Sequence, residues 1–184
     1  SMKFPVTRPL VIFPLLLAES ASKLGKYDIA KRKIAKADSA FHNQVRKRTS
    51  LGEFYLMAAN TFRHFNPDSA LKLADKGLED TTSGNFYADN MQVKSKILSK
   101  QGKHQEALKC LHAAINSLHG IYATSQNITS VKEDAEMELQ RLLYTKLAEE
   151  YYKIYQENQD AANLEKALIA SYKADTCYSK IAVN

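Results

Sequence analysis

The sequence predicts an all-α protein of about eight helices in four antiparallel pairs, and three observations carry that prediction. The stretch "KQGKHQEALKCLHAA" at 100–114 matches "KLGKYDIAKRKIAKA" at 23–37 at five of fifteen positions without a gap, and two more segments, "RHFNPDSALKLADKG" at 63–77 and "DAANLEKALIASYKA" at 160–174, line up with them. Every copy has Ala at its eighth place (Ala30, Ala70, Ala107, Ala167) and a small residue seven places later (Ala37, Gly77, Ala114, Ala174). Residues seven apart share one face of a helix, and small side chains on that face let a neighbouring helix approach closely. Finally, the 184 residues hold only six glycines and four prolines, and nowhere alternate apolar with polar in the strand period.

The units fall at about 10–48, 50–81, 85–120 and 130–182, read as one repeat domain over 1–184. A compact chain of this length buries roughly 70% of its unfolded surface, and 45% hydrophobic content argues against a long disordered tract. The chain opens with "SMKFPVTRPLVIFPLLLAESASK", in which Lys3 and Arg8 precede an apolar run followed by small residues, as in a secretory signal. The run passes without a break into the first repeat and is too short to span a bilayer as a helix, so a packed helix is expected. A cytoplasmic location goes with that expectation, and a periplasmic one with the signal alternative.

The second unit opens with "LGEFYLMAANTFRHF", where Leu51, Phe54, Ala58, Thr61 and Phe65 recur at helical steps and Ser50 with Glu53 forms a capping box. The fourth repeats the device with Ser130 and Glu133, and its apolar stripe runs through Ala135, Leu139, Leu142, Leu143, Leu147, Tyr151 and Tyr155. Turn chemistry separates the helices: Gly25 before Tyr27, Asn66-Pro67 opening a helix, Gly102 before His104, and the polar stretches "DTTSGN" and "ATSQNITS".

The net charge of +6 is local, because residues 1–50 hold eleven Lys or Arg against three acids while 51–184 hold fifteen against seventeen. Its densest parts, "KRKIAK" at 31–36 and "RKR" at 46–48, read as a solvated helix face rather than a nucleic-acid stripe, since no base-reading motif or zinc-finger spacing accompanies them. Cys110 and Cys177 lack CxxC spacing and read as reduced, packed thiols.

No catalytic constellation assembles. His104, His112 and His119 bracket one helix without an HExxH or a completing ligand set, and they read as surface or packing residues. The acids of "EDAEME" at 133–138 suit a helix start. Tyr144, Tyr151 and Tyr155 recur at helical spacing and read as core. The sequon at Asn127 carries little weight. The expectation is a non-enzymatic chain with no cofactor and no metal.

The turn Gly, the ring-bearing residue two places on, and the two alanines in "ILSKQGKHQEALKCLHAAI" and "ESASKLGKYDIAKRKIAKADSAF" resemble the tetratricopeptide repeat. The second unit departs from it at Phe65 and Pro67, the fourth has a stretched turn, "YQENQDAANLEKAL", and the anchor alanines are 40, 37 and 60 residues apart. The resemblance implies a right-handed stack of helix pairs, an α-solenoid whose first helices line a concave face holding a peptide or helix of a protein partner. Candidate partner-binding residues on those helices are Tyr55 and Arg63, then Gln92, Lys96 and Lys100, then Glu149, Tyr152 and Lys153. The family's chaperone-binding clamp is not expected, because Glu19 and Ala59 stand where it would want Asn. "FNPDSALKLADKGL", "KILSKQGKHQEALKCL" and "YYKIYQENQDAANLEKALIASYKAD" are similar to the repeat regions of large bacterial signalling proteins. That likeness implies an alternative: a sensory or regulatory domain of a histidine kinase, transcription regulator or caspase-like protease.

Overall fold

The computed structural model describes residues 7–42, 51–79, 84–124 and 130–181. Among them the fold is all-α, with no strand. The helices are α1 (Thr7–Lys23), α2 (Tyr27–Ala40), α3 (Leu51–Phe62), α4 (Pro67–Leu78), α5 (Gly84–Lys100), α6 (His104–Thr124), α7 (Ser130–Asn158) and α8 (Ala161–Ile181). Contacts divide the chain into two compact units, Ser1–Val93 and Lys94–Asn184, with the division inside α5.

The internal match that predicts the pairs has a direct physical basis. After α1, Gly25 adopts φ +72°, its N–H donates to the Ser22 carbonyl at 3.0 Å, and the Lys26 N–H donates to the Ala21 carbonyl at 2.8 Å. After α5, Gly102 adopts φ +73°, its N–H donates to Ser99 at 3.0 Å, and Lys103 donates to Leu98 at 2.9 Å. Both are the same helix stop, in which a left-handed residue folds two donors back onto the last carbonyls. The second unit turns by other means: the Asn66 side chain accepts from the Ser69 N–H at 3.0 Å, and Pro67 opens α4. In the fourth, Gln159 takes the left-handed conformation at φ 56°, and Asp160 Oδ1 caps α8 by accepting from the Ala162 N–H at 3.0 Å.

Within Ser1–Val93, α1 packs on α2, α3 on α4, and α1 on α3. Its core runs from Val11, Leu15 and Ala18 through Ala30, Ile34 and Ala37 to Phe41 and Phe54. The apolar N-terminal run therefore buries one helix face, while Phe13 and Leu17 on the other are more than half exposed. On α3, Phe54, Ala58 and Thr61 are buried as the spacing predicts, and the Thr61 hydroxyl donates to the Met57 carbonyl at 3.0 Å. Within Lys94–Asn184, α6 packs on α7 and α7 on α8.

The small-residue stripe is buried throughout. Ala30, Ala37, Ala70, Ala107 and Ala114 have no exposed surface, and Ala167, Ala174 and Gly77 are also buried. At Gly77 the approach is closest: a Cβ there would lie 2.5 Å from Asn90 Oδ1. Asn90 is itself fully buried, with its Nδ2 donating to the Phe86 carbonyl at 2.8 Å. That contact accounts for glycine where the other copies have alanine.

The stripe expected on α7 needs correction. Leu143 and Leu147 are buried, but Ala135 and Leu142 are exposed, and the buried face runs Glu136, Leu143, Leu147, Glu150, Ile154. Because α7 packs on both α6 and α8, its apolar residues serve two directions. Two carboxylates occupy positions that a reading of apolar letters passes over. The capping box at Ser50 and the sequon at Asn127 lie outside the described residues, as do the side chains of Leu51, Ser130 and Glu133.

Candidate functional site

The candidate partner-binding residues fall into both units and are taken unit by unit. In the first, Tyr55 on α3 is half-buried, with its ring edge against Phe54 at 5.4 Å and Lys76 Nζ 5.8 Å from its centre. Arg63 is also half-buried, its Nε donating to Asn60 Oδ1 at 3.2 Å. Gln92 is buried, at 9% exposure, which corrects the expectation that it lies off the packed face. Helical spacing alone cannot separate a polar residue at a close helix contact from one in water.

In the second unit, Lys96 is half-buried and Lys100 exposed. Glu149 and Tyr152 come together, lining a groove of about 370 Å³ between α7 and α8 whose floor is the small-residue stripe, Ala148, Ala167 and Ala174. Glu149 accepts from Lys146 Nζ at 2.6 Å, and the Tyr152 ring lies 6.1 Å from Tyr155. Lys153, the neighbour of Tyr152 in sequence, is engaged elsewhere: its Nζ donates to Glu150 Oε1 at 2.7 Å and to Ser99 Oγ at 2.8 Å.

Lys153 thereby belongs to a network that sequence reasoning missed. Glu150 is 4% exposed. Its Oε1 also accepts from the Ser99 hydroxyl at 2.5 Å, and its Oε2 lies 2.8 Å from His104 Nδ1, whose Nε2 is 3.2 Å from Glu157 Oε1. Burial alone would raise the Glu150 pKa, but hydrogen bonds from Lys153, Ser99 and His104 outweigh it and hold the carboxyl below its ordinary value. The Ser99 hydroxyl donates into an ionised carboxylate that also holds the Lys153 ammonium. The cluster ties α5, α6 and α7 together. His104, expected from the sequence to be a surface or packing residue, instead bridges the Glu150 and Glu157 carboxylates.

His112 meets the Tyr151 hydroxyl at 2.9 Å through Nε2. Burial, then the nearby charges of Lys173 and Lys166, push its pKa below the ordinary value and favour the neutral ring. Tyr144 is buried, as its spacing predicts. Glu136 is 4% exposed, with neither carboxylate oxygen hydrogen-bonded, so the dipole account of the "EDAEME" acids does not cover it. The side chain of His119 lies outside the described residues.

Cys110 is buried and Cys177 half-buried, and no disulfide joins them. Among the described residues no group of three or more His, Cys, Asp or Glu could hold a metal ion, and no helix is long and apolar enough to cross a membrane. At the positions where the chaperone clamp would want Asn, Glu19 pairs with Lys23 at 2.9 Å and Ala59 has no exposed surface. In the basic stretch Lys31, Arg32 and Lys36 are exposed on α2, with Lys31 Nζ 5.6 Å from the centre of the Phe65 ring; residues 46–48 lie outside the described residues. Comparison with protein-family models, with curated proteins and with solved structures finds no match to this chain.

Proposed function

We propose that the chain is a tetratricopeptide-like interaction module that binds a segment of a partner protein, without catalytic chemistry of its own. The observation that supports this reading is the recurrence of one helix-pair design: a buried small-residue stripe in all four copies, with two of the copies closed by the same left-handed glycine stop. Such pairs present surface rather than a reaction centre, and the polar cluster around Glu150 is internally bonded. The groove bearing Glu149 and Tyr152, with Lys100 exposed on α5, is the site to test.

Affinity capture with the parent chain, beside Tyr152→Ser and Lys100→Glu variants that melt like the parent, provides that test. A protein partner whose recovery falls at least tenfold in the variants is the expected result. Capture indifferent to both substitutions, together with measurable turnover of a small substrate by the purified chain, would overturn the reading.

A further inference from the structure

A second face of the α7–α8 pair carries a pattern that the first groove lacks. Lys166 Nζ sits 5.7 Å from the centre of the Tyr151 ring, and Lys173 Nζ sits 5.5 Å from that of Tyr144. The two lysines are seven residues apart on α8 and the two tyrosines seven apart on α7, so the antiparallel helices repeat one Lys–Tyr rung after two turns, a rise of about 10 Å. Neither lysine forms an ion pair with a described residue. Both act on His112, whose neutral form their charges favour.

Beside the rungs lies an apolar ridge. Tyr172 is 75% exposed, Leu168 63% and Ile169 50%. With Tyr144, Lys173 and Cys177 these residues line an open groove of about 640 Å³ in which no carboxylate takes part. Two acids of this helix pair, Glu149 and Asp175, line the other groove. Apolar surface flanked by unpaired positive charge at a two-turn repeat is complementary to one kind of occupant.

We propose that this face docks an amphipathic helix of a partner protein through two acidic side chains seven residues apart, with apolar side chains between them meeting Ile169 and Tyr172. The spacing selects a helix: residues seven apart on a guest helix span the distance between the lysines, and those at the third and fourth places between point the same way. The face is distinct from the groove of Glu149 and Tyr152, so the two assignments stand or fall separately.

The test is a displayed library of 21-residue helices with a fixed Leu/Ile ridge and flanking positions drawn from Asp, Glu, Lys, Arg and Gln, selected against the full chain. Enrichment of acids over bases by at least tenfold at two positions seven apart is expected. Lys166→Glu with Lys173→Glu should invert the preference to Lys or Arg at the same spacing. Lys166→Gln with Lys173→Gln, which keeps the side-chain bulk, should abolish it should the reversal fail to fold. Enrichment without charge preference, or unchanged by the reversal, overturns the proposal. Enrichment that depends on Lys100 and Tyr152 instead, or no enrichment at all, overturns it while sparing the interaction-module reading. Retention on phosphatidylserine vesicles that is lost on reversal, without helix enrichment, assigns the face to lipid. A dimer by sedimentation that Tyr172→Glu converts to monomer assigns it to a second copy. Either result removes the helix proposal.

Discussion

Ser22 and Ser99 stand three residues before the turn glycines Gly25 and Gly102, and Tyr27 and His104 stand two residues after them. These equivalent places do the same work in the two units with different chemistry. In Ser1–Val93 the Ser22 hydroxyl donates to the Thr61 carbonyl at 2.9 Å, and the Tyr27 ring packs on Phe65 at 5.1 Å. Phe41 stacks on Phe54 at 4.6 Å to complete an aromatic joint between α2 and α3. In Lys94–Asn184, Ser99 and His104 both bind the buried Glu150. One joint is made of apolar area and a neutral hydrogen bond, which pH does not touch, and the other of charge-assisted hydrogen bonds, which pH can remove. The helix-pair backbone thus fixes where a joint falls without fixing what it is made of.

The largest test of that contrast removes the centre of each joint. Phe54→Ala should cost about 4 kcal/mol, from lost burial and the cavity left behind. Glu150→Ala should cost about 3 kcal/mol, because it leaves Ser99, His104 and Lys153 facing an empty site. Urea melts at pH 7 measure both.

Acid then separates them. The folded Glu150 carboxyl lies below its ordinary value, so its stabilisation is full above an unfolded value of about 4.3 and is lost as pH falls through the folded one. The stability gap between the parent and Glu150→Gln should therefore narrow between pH 7 and pH 3, while the Phe54→Ala gap should hold. A Glu150→Gln gap that does not change with pH would mean that the network contributes packing rather than charge.

A smaller effect tests the stripe that both units share. Ala107→Leu should lose about 1 to 3 kcal/mol by overpacking a position with no exposed surface. Lys109→Ala, two residues on and exposed, should change stability by less than about 0.5 kcal/mol. Thermal melts that coincide for the two variants would remove Ala107 as a packing anchor. The last expected effect is a gain: Gln159→Gly should add up to about 1 kcal/mol by relieving a left-handed conformation, whereas Gly102→Ala, also at positive φ, should lose a similar amount.

Backbone chemistry made most of the fold legible in the sequence. The left-handed stops at Gly25 and Gly102, the Asn66-Pro67 opening and the seven-residue spacing of alanines each state a local geometry in the residues themselves. What escaped was long-range and polar. Glu150 lies in "EEYYK", where nothing local marks it apart from exposed Glu149, and its burial depends on partners 46 and 51 residues away. Gln92 lies off the apolar stripe in sequence and is nevertheless buried. The Lys–Tyr rungs needed the pairing of α7 with α8 before either lysine differed from any other. The sequence did suggest that Tyr144 packs, but not that a lysine rides on its ring.

Those rungs also limit how the last two helices can slide. With Lys166 opposite Tyr151 and Lys173 opposite Tyr144, sliding α8 by four residues one way would set Lys166 near Tyr155 but Lys173 near Ala148, and the other way would set them near Leu147 and Gln140. Neither offset keeps both contacts. The seven-residue interval therefore works as a register mark, and a residue added or removed at Gln159–Asp160 has to be absorbed by the turn itself. Length changes there should reshape the connection while leaving the two helices aligned as they are.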